Sequence, residues 1–352
     1  MISDKTTRMF GSFLLFPGGI TQSDKKYWRK MKFYLLFLST FARMNQKKGE
    51  TLMAKKEKKE KIKRKWGDRR DAKWLKDIPA MNYIMPTLMP NRADNEAFVS
   101  VDIDMRPLEA YLEKKNEGLE KKDRYTFFHL ISAAVGKAFI LRPKMNRFIC
   151  NHKMYQRHKV TVAFTVKKQF DDKAEEGLAL FEYSPEDTID TYHAKIMKVI
   201  NTARHETDAS TGVMDILKKL PHFLVVWIVK FVRWLDKFGL APEDMIATDP
   251  NHAAVFLSNL GSIGLECGYH HLVNWGTNSC FVVLGKKHVK RFYDKDGNVD
   301  CHEVVPIGIT LDERIADGYY YSGTVALVRE LLAHPELLEL PANTPVEYSI
   351  KK

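Results

Sequence analysis

The chain has 352 residues, enough for two average domains or one large α/β domain with appendages. Apolar residues make up 45%, aromatics 11% and charged residues 28%, which excludes a disordered or fibrous chain. The net charge of +12 is uneven: residues 1–52 hold ten basic and three acidic side chains and residues 53–76 twelve and four, so the remaining 276 residues sum to −3. A mildly acidic body argues against a nucleic-acid partner. Four cysteines without a C-x-x-C pair exclude a disulfide scaffold, a zinc ribbon and a thioredoxin-like site. The expectation is a cytoplasmic, reduced protein with no metal.

The first 52 residues carry two apolar patches, 10–16 and 33–42, each too short to cross a bilayer. Codons for Lys48-Gly49-Glu50 are compatible with a ribosome-binding sequence ahead of Met53. Residues 1–52 are therefore expected to be an over-extended start lying outside the fold. Residues 53–78 read as a basic, flexible arm that docks through Trp66 and Trp74. A domain over 79–340, with a helical insertion at about 209–245, is then followed by a tail at 341–352.

Residues 97–105 alternate apolar and polar at period two and predict a strand. Pro107 opens a helix over 108–116 that Gly118 stops. Residues 126–141 predict a buried helix ended by Pro143. Strands follow at 154–166 and 177–183, joined by a polar loop at 169–176; a helix then runs from 185 to about 206. Residues 213–240 form an apolar block, helical from Phe223, with Lys230, Arg233, Asp236 and Lys237 on one narrow face. That pattern favours a helix covering its own core or an oligomer contact, with membrane-surface contact as the lesser expectation. The last third predicts a strand at 253–257, a long hairpin of 279–289 and 299–310 around Asp296-Gly297, and a helix over 322–333.

Asp312-Glu313-Arg314-Ile315-Ala316-Asp317-Gly318 resembles the D-H-R-x-x-D-G signature of the 2-oxo acid dehydrogenase acyltransferases, the dihydrolipoyl acyltransferase and chloramphenicol acetyltransferase group. Phe256-Leu257-Ser258-Asn259-Leu260-Gly261 resembles the group's F-T-I-S-N-L-G segment, and Arg142-Pro143-Lys144-Met145-Asn146 its F-P-x-x-N turn. Order and spacing agree from about residue 84 to 334. The resemblance implies a two-layer α/β sandwich with a mixed sheet, a homotrimer with the site between subunits, and transfer of acyl groups from coenzyme A to a small acceptor. By position, Ser258 would bind the tetrahedral oxyanion, Asp317 would hold local geometry, and Asn259, Arg314 and Gly318 would support the motif.

The motif histidine is Glu313 here. An exposed carboxylate is a weak base towards a thiol, so the role requires burial. The alternative is a catalytically degenerate relative acting in binding, assembly or at a membrane surface. Lys286 and Lys287 are candidates for the coenzyme A phosphates, and His270 and His271 for a substitute base. Asp172-Lys173-Ala174 echoes a lipoylation site but sits within the catalytic fold, and no lipoyl group is expected. The absence of lipoyl, subunit-binding and linker segments points to a stand-alone enzyme.

Overall fold

A computed structural model describes residues 64–167, 176–205, 217–242, 246 and 249–350, all within one compact unit. The expected start at Met53, Asp172-Lys173-Ala174, most of the 169–176 loop and both ends of the 209–245 insertion lie outside the described residues.

The described strands are β1 (Ala72–Trp74), β2 (Glu96–Asp104), β3 (Arg147–Cys150), β4 (Lys153–Arg157), β5 (Val160–Lys167), β6 (Glu176–Tyr183), β7 (Val255–Asn259), β8 (Cys280–Leu284), β9 (His288–Tyr293) and β10 (Val299–Asp312). The helices are α1 (Ala80–Leu88), α2 (Arg106–Lys115), α3 (Phe127–Leu141), α4 (Ile189–His205), α5 (His222–Lys237) and α6 (Gly318–Ala333).

Seven strands form the main sheet in the order β2-β10-β8-β7-β5-β6, with β9 added to the far end of β10. β7 runs parallel to both β5 and β8, whereas β10 is antiparallel to β2, β8 and β9. This is the mixed sheet expected. One face packs on helices: Val101, Val162, Leu257 and Val282 join Ile131, Ala134, Tyr192 and Leu327 in the main core. Alternation sends Ala163, Phe256, Phe281 and Val283 to the opposite face, where Leu272 from the 264–278 loop covers part of it.

Helix α3 is buried along most of its length, as its Ala-, Ile- and Phe-rich sequence predicts. Its start is fixed by a capping box, in which Thr126 N donates to Nδ1 of His129 at 3.1 Å. Burial, with His193 nearby, pushes that imidazole down to about 3, so it stays neutral and able to accept.

Several boundaries differ from expectation. The strand expected over 154–166 is two strands, β4 and β5, in two different sheets. The first arm of the expected hairpin divides at Gly285 into β8 and β9, both paired with β10. A Cβ at Gly285 would lie 2.5 Å from the Cys267 amide nitrogen, so the crossing loop requires glycine there. Helix α6 begins at Gly318, four residues before the expected start, because Asp317 caps it by accepting from Tyr320 N at 2.8 Å.

The arm read over 53–78 does not stay free to its end. β1 pairs with β4 in a separate sheet ordered β1-β4-β3, and Arg69 is almost wholly buried. Residues 341–350 are not a free tail either: Asn343 N donates to Pro185 O, and Tyr348 accepts from Arg142 at 2.7 Å.

Arg69 donates to Asp71 and to Asp236 of α5, both at 2.9 Å. Asp236 also faces His252, whose Nε2 lies 3.5 Å from it and whose Nδ1 lies 3.1 Å from Asp249. Burial raises the Asp236 carboxyl, but His252 and Arg69 outweigh it and bring it down to about 2. Burial likewise lowers the His252 imidazole, but Asp236 and Asp249 outweigh it and hold it above its ordinary value.

A raised folded-state pKa gives stability that is complete below the unfolded value, near 6.5, and lost as pH rises through the folded value. Wild type should therefore lose unfolding free energy relative to His252→Gln as pH rises above about 6.5 in urea titrations. Parallel curves across that range would refute the charged triad.

Candidate active site

β10 is the longest strand of the main sheet and ends at Asp312, where the motif begins. Asp312 is fully buried and accepts from Arg314 through both carboxylate oxygens, at 2.7 and 2.6 Å. Arg92 Nε stands 3.8 Å from the same carboxylate. Arg314 also donates to the carbonyls of Met89 and Pro90 at 2.8 and 3.1 Å, while Arg92 donates to those of Val273 and Gly276 at 2.7 and 3.1 Å. Tyr321 OH donates to the Asp312 carbonyl at 2.7 Å, and the Glu313 amide donates to Asn95 O at 3.0 Å. The strand-to-helix turn is thus tied to the segment before β2, to the 264–278 loop and to α6.

On this fixed turn Arg314 is buried and its neighbours Glu313, Asp317 and Gly318 are exposed. Arg314 anchors the turn through Asp312 and the Met89 and Pro90 carbonyls. Asp317 caps α6. A side chain at Gly318 would meet nothing within 4 Å, so no steric need for glycine arises inside the single chain. Glu313 lacks, in the single chain, the burial that a carboxylate general base requires.

Ser258 lies near the end of β7, half-buried, on the sheet face away from the helices that it shares with Phe256. Asn259 closes the following turn, its side-chain oxygen accepting from Ser262 N at 3.1 Å. The structure does not bring Ser258 and Glu313 together within one chain. Ser258 pairs with Val283 and Val283 with Gly308, so Glu313 stands five residues further along β10 and two strands across, roughly 20 Å away. The two residues approach only if a second copy supplies one of them.

His270 stacks on Phe281 at 4.2 Å, and Phe281 stacks on Phe256, two residues before Ser258. Of the residues considered for a base, His270 is therefore on the serine's own side of the sheet. Lys286 is exposed, but Lys287 is tied to Glu109 and Glu303 at 3.0 and 2.8 Å, bonds that raise its pKa. A phosphate at Lys287 would have to displace two carboxylates.

The sequence reading missed Arg92, Asn95 and the structural weight of Asp312. The available signal was the polar Asn91-Arg92-Ala93-Asp94-Asn95 turn immediately before the first strand, an unusual place for a buried arginine.

No family model matches the chain, and no curated protein does. Solved structures do. The dihydrolipoamide acetyltransferase of Azotobacter vinelandii superposes with a TM-score of 0.50 at 16% identity, over 76% of this chain and 95% of that one. A probable dihydrolipoamide acetyltransferase from Listeria monocytogenes gives 0.48 at 14% identity, over 73% and 94%. A chloramphenicol acetyltransferase gives 0.48 at 12%, over 74% and 99%. The protein has the chloramphenicol acetyltransferase-like fold that these acyltransferase catalytic domains share.

Proposed function

We propose that the protein is a coenzyme-A-dependent acyltransferase whose active site forms between copies of the chain, in a homotrimer. The observation that carries this reading is the anchored β10–α6 turn, which holds Glu313 outward on a rigid support, together with Ser258 half-buried near the other end of the sheet. Glu313 of one copy would take the proton from an acceptor hydroxyl or thiol as the acceptor attacks the thioester carbonyl. Ser258 of the neighbouring copy would donate to the tetrahedral oxyanion. Collapse then releases the coenzyme A thiolate, which recovers the proton. Contact with the neighbouring copy would supply the burial that Glu313 lacks alone.

The Azotobacter enzyme has been studied for the roles of a serine, a histidine and an asparagine in its mechanism, the last two four residues apart. Glu313 and Asp317 have that same separation. The exposure of Glu313 in the single chain favours a second reading, in which the fold serves binding or assembly without chemistry.

Calorimetry with coenzyme A and acetyl-coenzyme A separates the two. Micromolar binding accompanied by acyl transfer to a thiol or hydroxyl acceptor supports the enzyme; no binding at millimolar concentration selects the second reading.

A further inference from the structure

Helix α5 carries an aromatic stripe that its own body leaves uncovered. Phe223, Trp227, Trp234 and Phe238 recur at helical spacing along one side and keep 51–68% of their surface exposed. Trp234 stacks on Phe231 at 6.1 Å and meets Phe238 edge-on at 5.3 Å, which stiffens the stripe. Leu224, Ile228 and Leu235 are half-buried while the large aromatics are exposed, so the helix is covered on one face and leaves the other open.

The charges are arranged just as unevenly. Lys230, Arg233 and Lys237 form an exposed cationic edge beside the stripe, and Lys218 and Lys219 are exposed just before the helix. From residue 217 to 242 the only acidic side chain is Asp236, which is buried and paired with Arg69. That ion pair holds the C-terminal end of the helix on the body while removing its one carboxylate from the outer surface. No described helix is long and apolar enough to cross a membrane.

We propose that α5 is a peripheral membrane anchor that lays its aromatic stripe into the headgroup layer of an anionic bilayer. Tryptophan and phenylalanine suit the boundary between headgroups and acyl chains, and the cationic edge suits anionic lipid beside it. A second copy of the chain fits this face less well. Antiparallel pairing of two such stripes sets the two cationic edges side by side, with no exposed carboxylate on either helix to offset them.

The test is co-sedimentation of the full chain with vesicles of phosphatidylcholine alone and with added phosphatidylglycerol. Wild type should bind the anionic vesicles at least about tenfold more tightly than the neutral ones. Trp227→Ser with Trp234→Ser should weaken binding about tenfold or more. Lys230→Gln with Arg233→Gln should cost about fivefold per cation removed, on anionic vesicles only. Each single tryptophan variant, checked by circular dichroism, keeps the test usable if the double variant does not fold. Coenzyme A affinity should be unchanged in all of them, so a failure of the acyltransferase reading would not be mistaken for a failure of the anchor.

The proposal is overturned if wild type stays in the supernatant. It is equally overturned if the aromatic variants sediment like wild type, which would assign binding to the basic N-terminal run. A smaller oligomer on gel filtration of the aromatic variants would give the stripe to a second copy instead.

Discussion

Glu313→Gln is expected to lower acyl transfer by about 10²–10⁴-fold, the usual loss when a general base is removed while shape is kept. Ser258→Ala should lose about 10²–10³-fold through the oxyanion. Neither should change coenzyme A affinity by more than about twofold, because both groups act on the transition state. The roughly 20 Å between them in one chain makes a sharper expectation available. Refolding the two inactive variants together should restore activity to about one quarter of wild type, since random mixing places both intact residues at one interface in four. Each variant alone stays inactive in the same protocol. If the mixture is as inactive as its components, the site is not shared between copies. If Glu313→Gln leaves transfer unchanged, the base lies elsewhere, with His270 on the serine's face of the sheet as the next residue to change.

The second large effect concerns Asp312. Truncation to alanine would leave Arg314 buried without its bidentate partner, and Arg92 without the carboxylate 3.8 Å from it. Removing one member of a buried ion pair costs about 3–5 kcal/mol, because the surviving charge is left uncompensated. Chemical denaturation should show a loss of that size, and any residual transfer should fall as well, since the turn that aims Glu313 loosens. A loss below about 1 kcal/mol would mean that the arginines are held by the backbone carbonyls alone.

Much of the main sheet was legible because its strands are half-buried and alternate cleanly. Val99, Val101 and Ile103 mark β2 by period two, and the Ala- and Ile-rich run of α3 admits only a buried helix. Where the pattern failed, a tertiary contact had decided. β4 and β5 read as one strand since no glycine or proline separates them, but His158 and Lys159 between them turn the chain from one sheet into the other. Gly285 interrupts an otherwise continuous strand only because Cys267 crosses over it, a contact between residues 18 apart in sequence. β1 and α1 were hidden because β1 is only three residues long and α1 carries Pro86 inside it.

Of the candidate site, the local part was readable and the long-range part was not. The motif around Glu313 and the segment around Ser258 stand out by residue type and order. Arg92, which comes within reach of Asp312 from 220 positions earlier in the chain, carries no periodicity or motif that foretells its partner. The helix of the 213–240 block was readable too, but not the direction of its charges. Helical spacing predicts Asp236 on one face with Lys230 and Arg233, but its ion pair with Arg69 holds it inward.

The place of β10 in the sheet has a consequence for how the chain comes to be folded. The strand lies between β2 and β8, and its pairing of Thr310 with Phe98 joins residues 212 apart. While the chain emerges from the ribosome, β2 and β8 each wait with an open edge until the last fifty or so residues arrive. Closure across so large a loop is slow, and an open apolar edge in the interval invites pairing with another nascent chain. Premature termination anywhere before β10 should yield insoluble product rather than a smaller folded domain. Synonymous changes that delay translation of the C-terminal codons should lower the soluble yield without altering a single amino acid.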